Sequence, residues 1–207
     1  MLQLEKIKKF YNVHLVLQIP FLQLDKGIYW LKGANGSGKT TLLKMIAGLL
    51  PFEGDILFND ISIKTQSLAY RQNVSWAEAE PLFPEFMSGM DLLLLYRNIR
   101  KAPQQEIDKL IEIFGLTTYV NNPTGTYSEG MRKKLSLALA FIGDPALIAL
   151  DEPFITLDPG SIVLVRNIIL ETHKNKGTTF LMSSHQELNM ELLGIGKELT
   201  VNNQTVS

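Results

Sequence analysis

The 207-residue chain is 45% hydrophobic and 20% charged, which suits one substantial core with room for a small appended subdomain and argues against disorder. Its formal net charge of −1 leaves no whole-chain electrostatic footprint for nucleic acid or anionic lipid, so no nucleic-acid partner is expected. Cysteine is absent, which excludes disulfides, thiolate metal sites and cysteine nucleophiles together and suits a reducing cytoplasm.

Residues 2–10 and 13–24 carry two alternating patterns, the second with Val13, Leu15, Leu17 and Ile19 set against His14, Val16 and Gln18. They predict a β-rich entry rather than a signal peptide. The apolar run Ile28-Tyr29-Trp30-Leu31 then precedes Gly33-Ala34-Asn35-Gly36-Ser37-Gly38-Lys39-Thr40. A helix is predicted over 39–49, stopped by Pro51. Strand, glycine-rich turn ending in Gly-Lys-Thr and helix is the P-loop pattern in its confirming context. A polyphosphate needs donors packed closely around it, and Gly36 and Gly38 let the backbone approach. The helix start aims unpaired N–H groups and the positive dipole end at the anion, and Lys39 adds a full charge. The Thr40 hydroxyl suits Mg²⁺, a hard cation that prefers oxygen. The chain is therefore expected to bind a nucleoside triphosphate.

Gly54–Asp60 predicts a strand ending in an Asn-Asp turn, and Val74–Ala77 a further short strand. From about Pro81 to Pro123 the pattern turns helical, over 87–100 and 104–114, which marks a candidate helical subdomain. The longest conspicuous apolar run, Leu92–Leu95, is far short of the roughly 20 residues that span a bilayer. Ser128–Ile142 reads as an amphipathic helix with a basic first turn of Arg132, Lys133 and Lys134. Apolar Ala146–Leu150, helical Ser161–Lys174 and apolar Thr178–Ser183 then alternate as in a mostly parallel sheet covered by helices. Lys197–Ser207 reads as an edge hairpin. Asp151 and Glu152 close an apolar strand at the C-terminal end, where open α/β sheets bind ligands. Asp151 is expected to hold Mg²⁺ through its coordinated water, and Glu152 to orient the water that attacks the γ-phosphate.

With these residues in order, the chain resembles the ATP-binding cassette ATPases that power ABC transporters. Tyr11 lies where that family stacks an aromatic ring on adenine. Gly33–Thr40, continued by Thr41, matches the Walker A loop, and Asp151-Glu152 the Walker B end. Tyr127-Ser128-Glu129-Gly130-Met131 stands in the place of the signature motif, Thr156-Leu157-Asp158 in that of the D-loop, and His185 in that of the switch histidine. Taken singly, Tyr11 would read as an edge-strand aromatic, His185 as a loop histidine, and Ser128 and Gly130 as a helix cap and a permissive backbone position.

The resemblance implies an α/β P-loop NTPase fold with a mixed-sheet core (about residues 1–80 and 143–207), an N-terminal antiparallel β subdomain and an inserted helical subdomain (about 81–142). It implies an ATPase using Mg²⁺ in which ATP is sandwiched head to tail between one subunit's P-loop and the Ser128–Met131 segment of another. That other subunit is a second copy or a paralogue. Separate transmembrane permease subunits would dock near residues 78–100, holding the chain at the inner face of the cell membrane. The alternatives are a cassette ATPase working on nucleic acid or in assembly, and a nucleotide-gated module of low turnover.

Two departures stand out. Aligning on Leu82-Phe83-Pro84 puts Glu78 where the family has a glutamine; it keeps a metal acceptor but adds a negative charge that a metal or a proton would have to offset. The signature has Tyr127, Glu129 and Met131 in place of leucine, glycine and glutamine. The Tyr-Ser-x-Gly-Met form resembles the cassettes of ABC-2 type exporters.

Overall fold

The computed structural model describes residues 1–184 and 197–207. The opening alternation forms a long hairpin, β1 (Leu2–Tyr11) and β2 (His14–Leu24), joined by antiparallel pairing from Leu2↔Leu24 to Tyr11↔His14. Val13, expected to open the second strand, instead sits in the exposed turn. β4 (Glu53–Phe58) pairs with β1 and turns through Asn59-Asp60 into β5 (Ile61–Ser62). Both turn residues have positive φ, the geometry a two-residue hairpin loop requires and Asn and Asp tolerate. The result is a four-stranded antiparallel sheet in the order β2-β1-β4-β5.

The second sheet runs β10-β9-β3-β8-β7-β6. Its members are β3 (Ile28–Lys32), β6 (Val74–Ala77), β7 (Leu147–Asp151), β8 (Thr179–Ser183), β9 (Lys197–Asn202) and β10 (Thr205–Val206). Pairing is parallel from β9 to β6, and only the edge hairpin β9-β10 is antiparallel. The central strands are buried on both faces, as parallel strands are. Along them side chains alternate between two cores: Ile28, Trp30, Ile148, Leu150, Phe180 and Met182 face one, while Tyr29, Leu31, Leu147, Ala149 and Leu181 face the other. The first core is shared with helices α3 (Gly89–Arg100), α4 (Gln104–Ile113), α5 (Glu129–Phe141) and α6 (Pro159–Lys176). The second lies under α1 (Lys39–Ile46), α2 (Ser67–Asn73) and the antiparallel sheet.

Several boundaries differ from expectation for physical reasons. α1 ends at Ile46, well before Pro51, because Gly48 takes φ +74 and closes a C-terminal cap in which Gly48 N–H reaches Met45 O and Leu49 N–H reaches Lys44 O. Glycine alone adopts that left-handed position without penalty. α5 is not amphipathic beyond its first turn, since every residue from Leu135 to Phe141 is buried. α2 and β5 carry no clear period and were not anticipated.

Gly54, at φ +91, faces the bulged stretch of β1; a Cβ there would overlap the carbonyl oxygens of Glu5 and Lys6. Backbone cannot yield as a side chain can, so Gly54→Ala is expected to cost roughly 1–3 kcal/mol. A urea titration with an unchanged midpoint would show that this approach is looser than described.

Candidate functional site

β3 delivers the glycine-rich loop at its C-terminal end. Gly36 and Gly38 have φ +77 and +106, values that a side chain would strain. Ser37 N–H closes the turn onto Ala34 O at 3.1 Å, with Ala34, Asn35 and Gly36 exposed at the rim. Gly38 caps α1 without any side-chain hydrogen bond, so the first-turn N–H groups of Lys39, Thr40 and Thr41 are not claimed by a capping side chain. A Cβ on Gly33 would meet Ser37 Oγ and Val201 O at 2.5 Å, which fixes the loop against β9. Lys39 is buried and arches back to Gly33 O (2.6 Å) and Ala34 O (3.0 Å). Burial pulls its pKa below the ordinary lysine value, against the carboxylates of Glu152 and Asp151, which push it up.

The strand register brings the second half of the site alongside. Ser183, ending β8, pairs with Leu31 of β3 on one side and Asp151 of β7 on the other. Asp151 is only 2% exposed. Its carboxylate accepts from Thr40 Oγ1 at 2.9 and 3.1 Å and from Ser183 Oγ at 2.5 Å. Ser183 Oγ in turn accepts from Glu152 N–H at 3.1 Å. Glu152 itself has φ +46, a conformation uncommon for a residue with a Cβ and of a kind that gathers at functional sites.

Glu78 follows β6, and its carboxylate pairs with Lys44 of α1. Lys44 lies four residues after Thr40, on the same helix face. The charge that a metal or proton was expected to offset is therefore met by a lysine. Lys133, read from sequence as part of a basic first turn, is fully buried. Its ammonium donates to Glu78 O (2.8 Å), Ala79 O (3.2 Å) and Asp151 O (2.9 Å). Burial draws its pKa down to about 8, with the charges of Asp151, Glu152 and Glu78 working in the other direction.

Ser128, Gly130 and Asp158 gather elsewhere, around a shallow hollow also lined by Met131, Lys134, Thr156 and Leu157. Ser128 caps α5, accepting from Met131 N–H at 3.2 Å, and the Met131 sulfur is a weak acceptor for Ser128 N–H at 3.5 Å. Gly130 is held to glycine size by Thr156, whose carbonyl would lie 3.0 Å from a Cβ. Asp158 caps α6 through Ser161 N–H (2.9 Å), and its hydrogen bonds to Ser161 hold its pKa down at about 2, with Lys134 nearby adding to them. Tyr127 is a core residue: its hydroxyl donates to Tyr119 O (2.8 Å) and accepts from Gly89 N–H (3.2 Å), and its ring meets Tyr119 edge-on at 5.0 Å. Tyr11 stands half exposed at the end of β1, with Lys9 Nζ 4.9 Å from its ring centre, on the hairpin whose Leu17 packs against Gly38. His185 lies outside the described residues.

Sequence reading missed Ser183, Lys44 and Lys133. The polar end of an apolar strand beside Asp151 was the available signal for Ser183; the two lysines carried none.

Hard oxygen donors from Thr40 and Asp151 fit a magnesium ion, and the buried Ser37 Oγ has no hydrogen-bond partner. Among the described residues no three or more His, Asp or Glu side chains are grouped to hold a metal alone. Such an ion would need further oxygens from a bound phosphate.

A family model described as "ABC transporter" matches residues 22–155. The chain is 32% identical over 168 residues to the uncharacterized ABC transporter ATP-binding protein YhcH of Bacillus subtilis, covering 80% of this chain and 55% of that protein. It is 35% identical over 186 residues to the cytochrome c biogenesis ATP-binding export protein CcmA of Legionella pneumophila, covering 86% and 89%. The chain thus spans little more than half of YhcH but most of CcmA. Among solved structures, an ATP binding subunit of an ABC transporter superposes with TM-score 0.89 at 26% identity, covering 99% of this chain and 87% of that one. The ATP-binding cassette MJ0796, in a dimeric post-hydrolysis state bound to ADP and Pi, superposes with TM-score 0.87 at 17% identity, covering 100% and 97%.

Tyr127→Phe keeps the ring but leaves Gly89 N–H without its acceptor in a buried place. The expected cost is about 1–3 kcal/mol in denaturant unfolding; no change would mean that the hydroxyl contributes nothing to α3.

Proposed function

The chain belongs to the ABC transporter family, and on that premise we propose that it is an ATP-binding and ATP-hydrolysing subunit that drives separate membrane subunits. The observation that carries this is the Thr40 hydroxyl resting on the Asp151 carboxylate, which joins the phosphate-cradling loop to the strand end bearing Glu152. The loop N–H groups and Lys39 bind the β- and γ-phosphates, with Lys39 turning from the Gly33 and Ala34 carbonyls to the phosphate oxygens. Thr40 and Asp151 would hold magnesium, which neutralises charge on the phosphate oxygens. Glu152 orients the attacking water and draws off its proton. Tyr11 offers an exposed ring for adenine, and His185 is assigned to the γ-phosphate by family resemblance. Glu78 is paired with Lys44 and so adds no uncompensated negative charge.

Among the described residues, no hydrogen bond joins the hollow formed by Ser128, Gly130 and Asp158 to the P-loop, which supports its use by a second subunit. ATP then bridges two cassettes, and loss of the γ-phosphate removes the bridging atoms. The dimeric state named for MJ0796 supports this pairing. Taking residues 1–207 as one cassette, with the helices of about 81–142 as its inserted part, places the exposed Leu82 and Phe86 on that insert beside Glu78. They favour a membrane subunit as the docking partner. No helix among the described residues is long and apolar enough to cross a membrane; the assignment of the spanning to permease subunits, and of this chain to the inner membrane face, rests on the family resemblance. The Tyr-Ser-x-Gly-Met signature and the export role in the name of CcmA favour outward transport.

Glu152→Gln keeps size but cannot accept the proton. ATP-dependent phosphate release is expected to fall about 10²-fold or more, while ATP still binds and dimers accumulate on gel filtration; undiminished release would remove Glu152 from the chemistry. Lys44→Met leaves Glu78 uncompensated. ATP affinity should weaken by on the order of 0.2–1 kcal/mol, a small effect because the pair is partly solvated, and adding Glu78→Gln should restore it. A double variant as weak as the single one would show that the two side chains are not coupled.

A further inference from the structure

The side chain of Lys133 is 0% exposed. Its three hydrogen-bond donors meet three main-chain carbonyls, Glu78 O, Ala79 O and Asp151 O, so the ammonium's capacity is fully used. Two of these carbonyls directly follow β6 and the third ends β7.

Burying an ammonium is costly, and Leu135 and Leu137 on the same helix are core residues. An apolar side chain of the same volume would avoid that desolvation cost but would take this donor from three carbonyl oxygens. What lysine adds is direction: it fixes the first turn of α5 to both strand ends at once. Glu129 and Gly130 lie four and three residues back, on the same helix face, and Gly130 rests against the Thr156 carbonyl on the other side.

We propose that Lys133 is a positioning residue that holds Ser128–Met131 in fixed relation to the strand ends bearing Glu78 and Asp151-Glu152, so that the surface offered to a second subunit and the hydrolytic carboxylates are set together. This rests on the functional reading above. A movement of either strand end on nucleotide binding reaches α5 through one ammonium, and a displaced α5 shifts the carboxylates in return.

The test uses the full chain with Lys133→Met and Lys133→Gln, measuring ATP affinity, phosphate release per folded molecule, and the ATP concentration that half-saturates dimer formation in the Glu152→Gln background. Affinity, set by the P-loop, should stay within about twofold, while release should fall ~10-fold or more and dimerisation should need several-fold more ATP, on the order of the penalty for sub-ångström misplacement. Because the chain has no cysteine, Lys133→Cys supplies a single thiol. Alkylating it with 2-bromoethylamine in the unfolded state, then refolding, restores a lysine-length ammonium and should recover most of the release. Variants that lose thermal stability but keep full release and dimerisation per folded molecule would overturn the proposal, as would an alkylated protein that folds without recovering release. Absence of turnover in the wild-type chain would instead overturn the functional reading.

Discussion

The Asp151 carboxylate is the point on which the site depends. Buried at the end of β7, it is satisfied by one hydroxyl from the P-loop helix and one from β8, while its own carbonyl takes the Lys133 ammonium. A buried carboxylate without such partners would be costly. Here the carboxylate's partners come from α1 and β8, and Lys133 of α5 takes the adjoining carbonyl, so all are satisfied only if α1, β7, β8 and α5 are assembled correctly.

Strand order makes that assembly possible. β8 lies between β3 and β7, and Ser183 is in register with both Leu31 and Asp151. All three strands run parallel, so the P-loop, Ser183 and the Asp151-Glu152 pair emerge at one edge. Period-two alternation gives each strand an apolar side on both cores, which pins the register: a one-residue slip would exchange the faces of every side chain. Packing thus fixes the chemistry's geometry, and the ligand-facing strain is confined to a few positions such as Glu152.

The functional signals legible in the sequence are those whose meaning is local. Gly36, Gly38, Lys39 and Thr40 act within one loop, and Asp151-Glu152 ends one apolar strand, so spacing alone identifies them. Lys44 with Glu78, and Lys133 with Glu78 and Asp151, join residues that are 34, 55 and 18 positions apart. Nothing in a window around Lys133 separates it from the exposed basic turn that such a run normally makes; its burial is decided by where β6 and β7 end. Tyr127 is similar, an apparent departure from a signature that the core explains through Gly89 and Tyr119. α1 ends ahead of Pro51 because Gly48, in its left-handed conformation, stops the helix first.

Thr40 and Asp151 would together form one oxygen site for a magnesium ion carried with ATP. Equilibrium dialysis of ATP against the wild-type chain and Asp151→Asn, with and without magnesium, tests it most directly. Magnesium should tighten ATP binding to the wild-type chain, and most of that gain should disappear in Asp151→Asn. An equal gain in both, or none in the wild type, would contradict it.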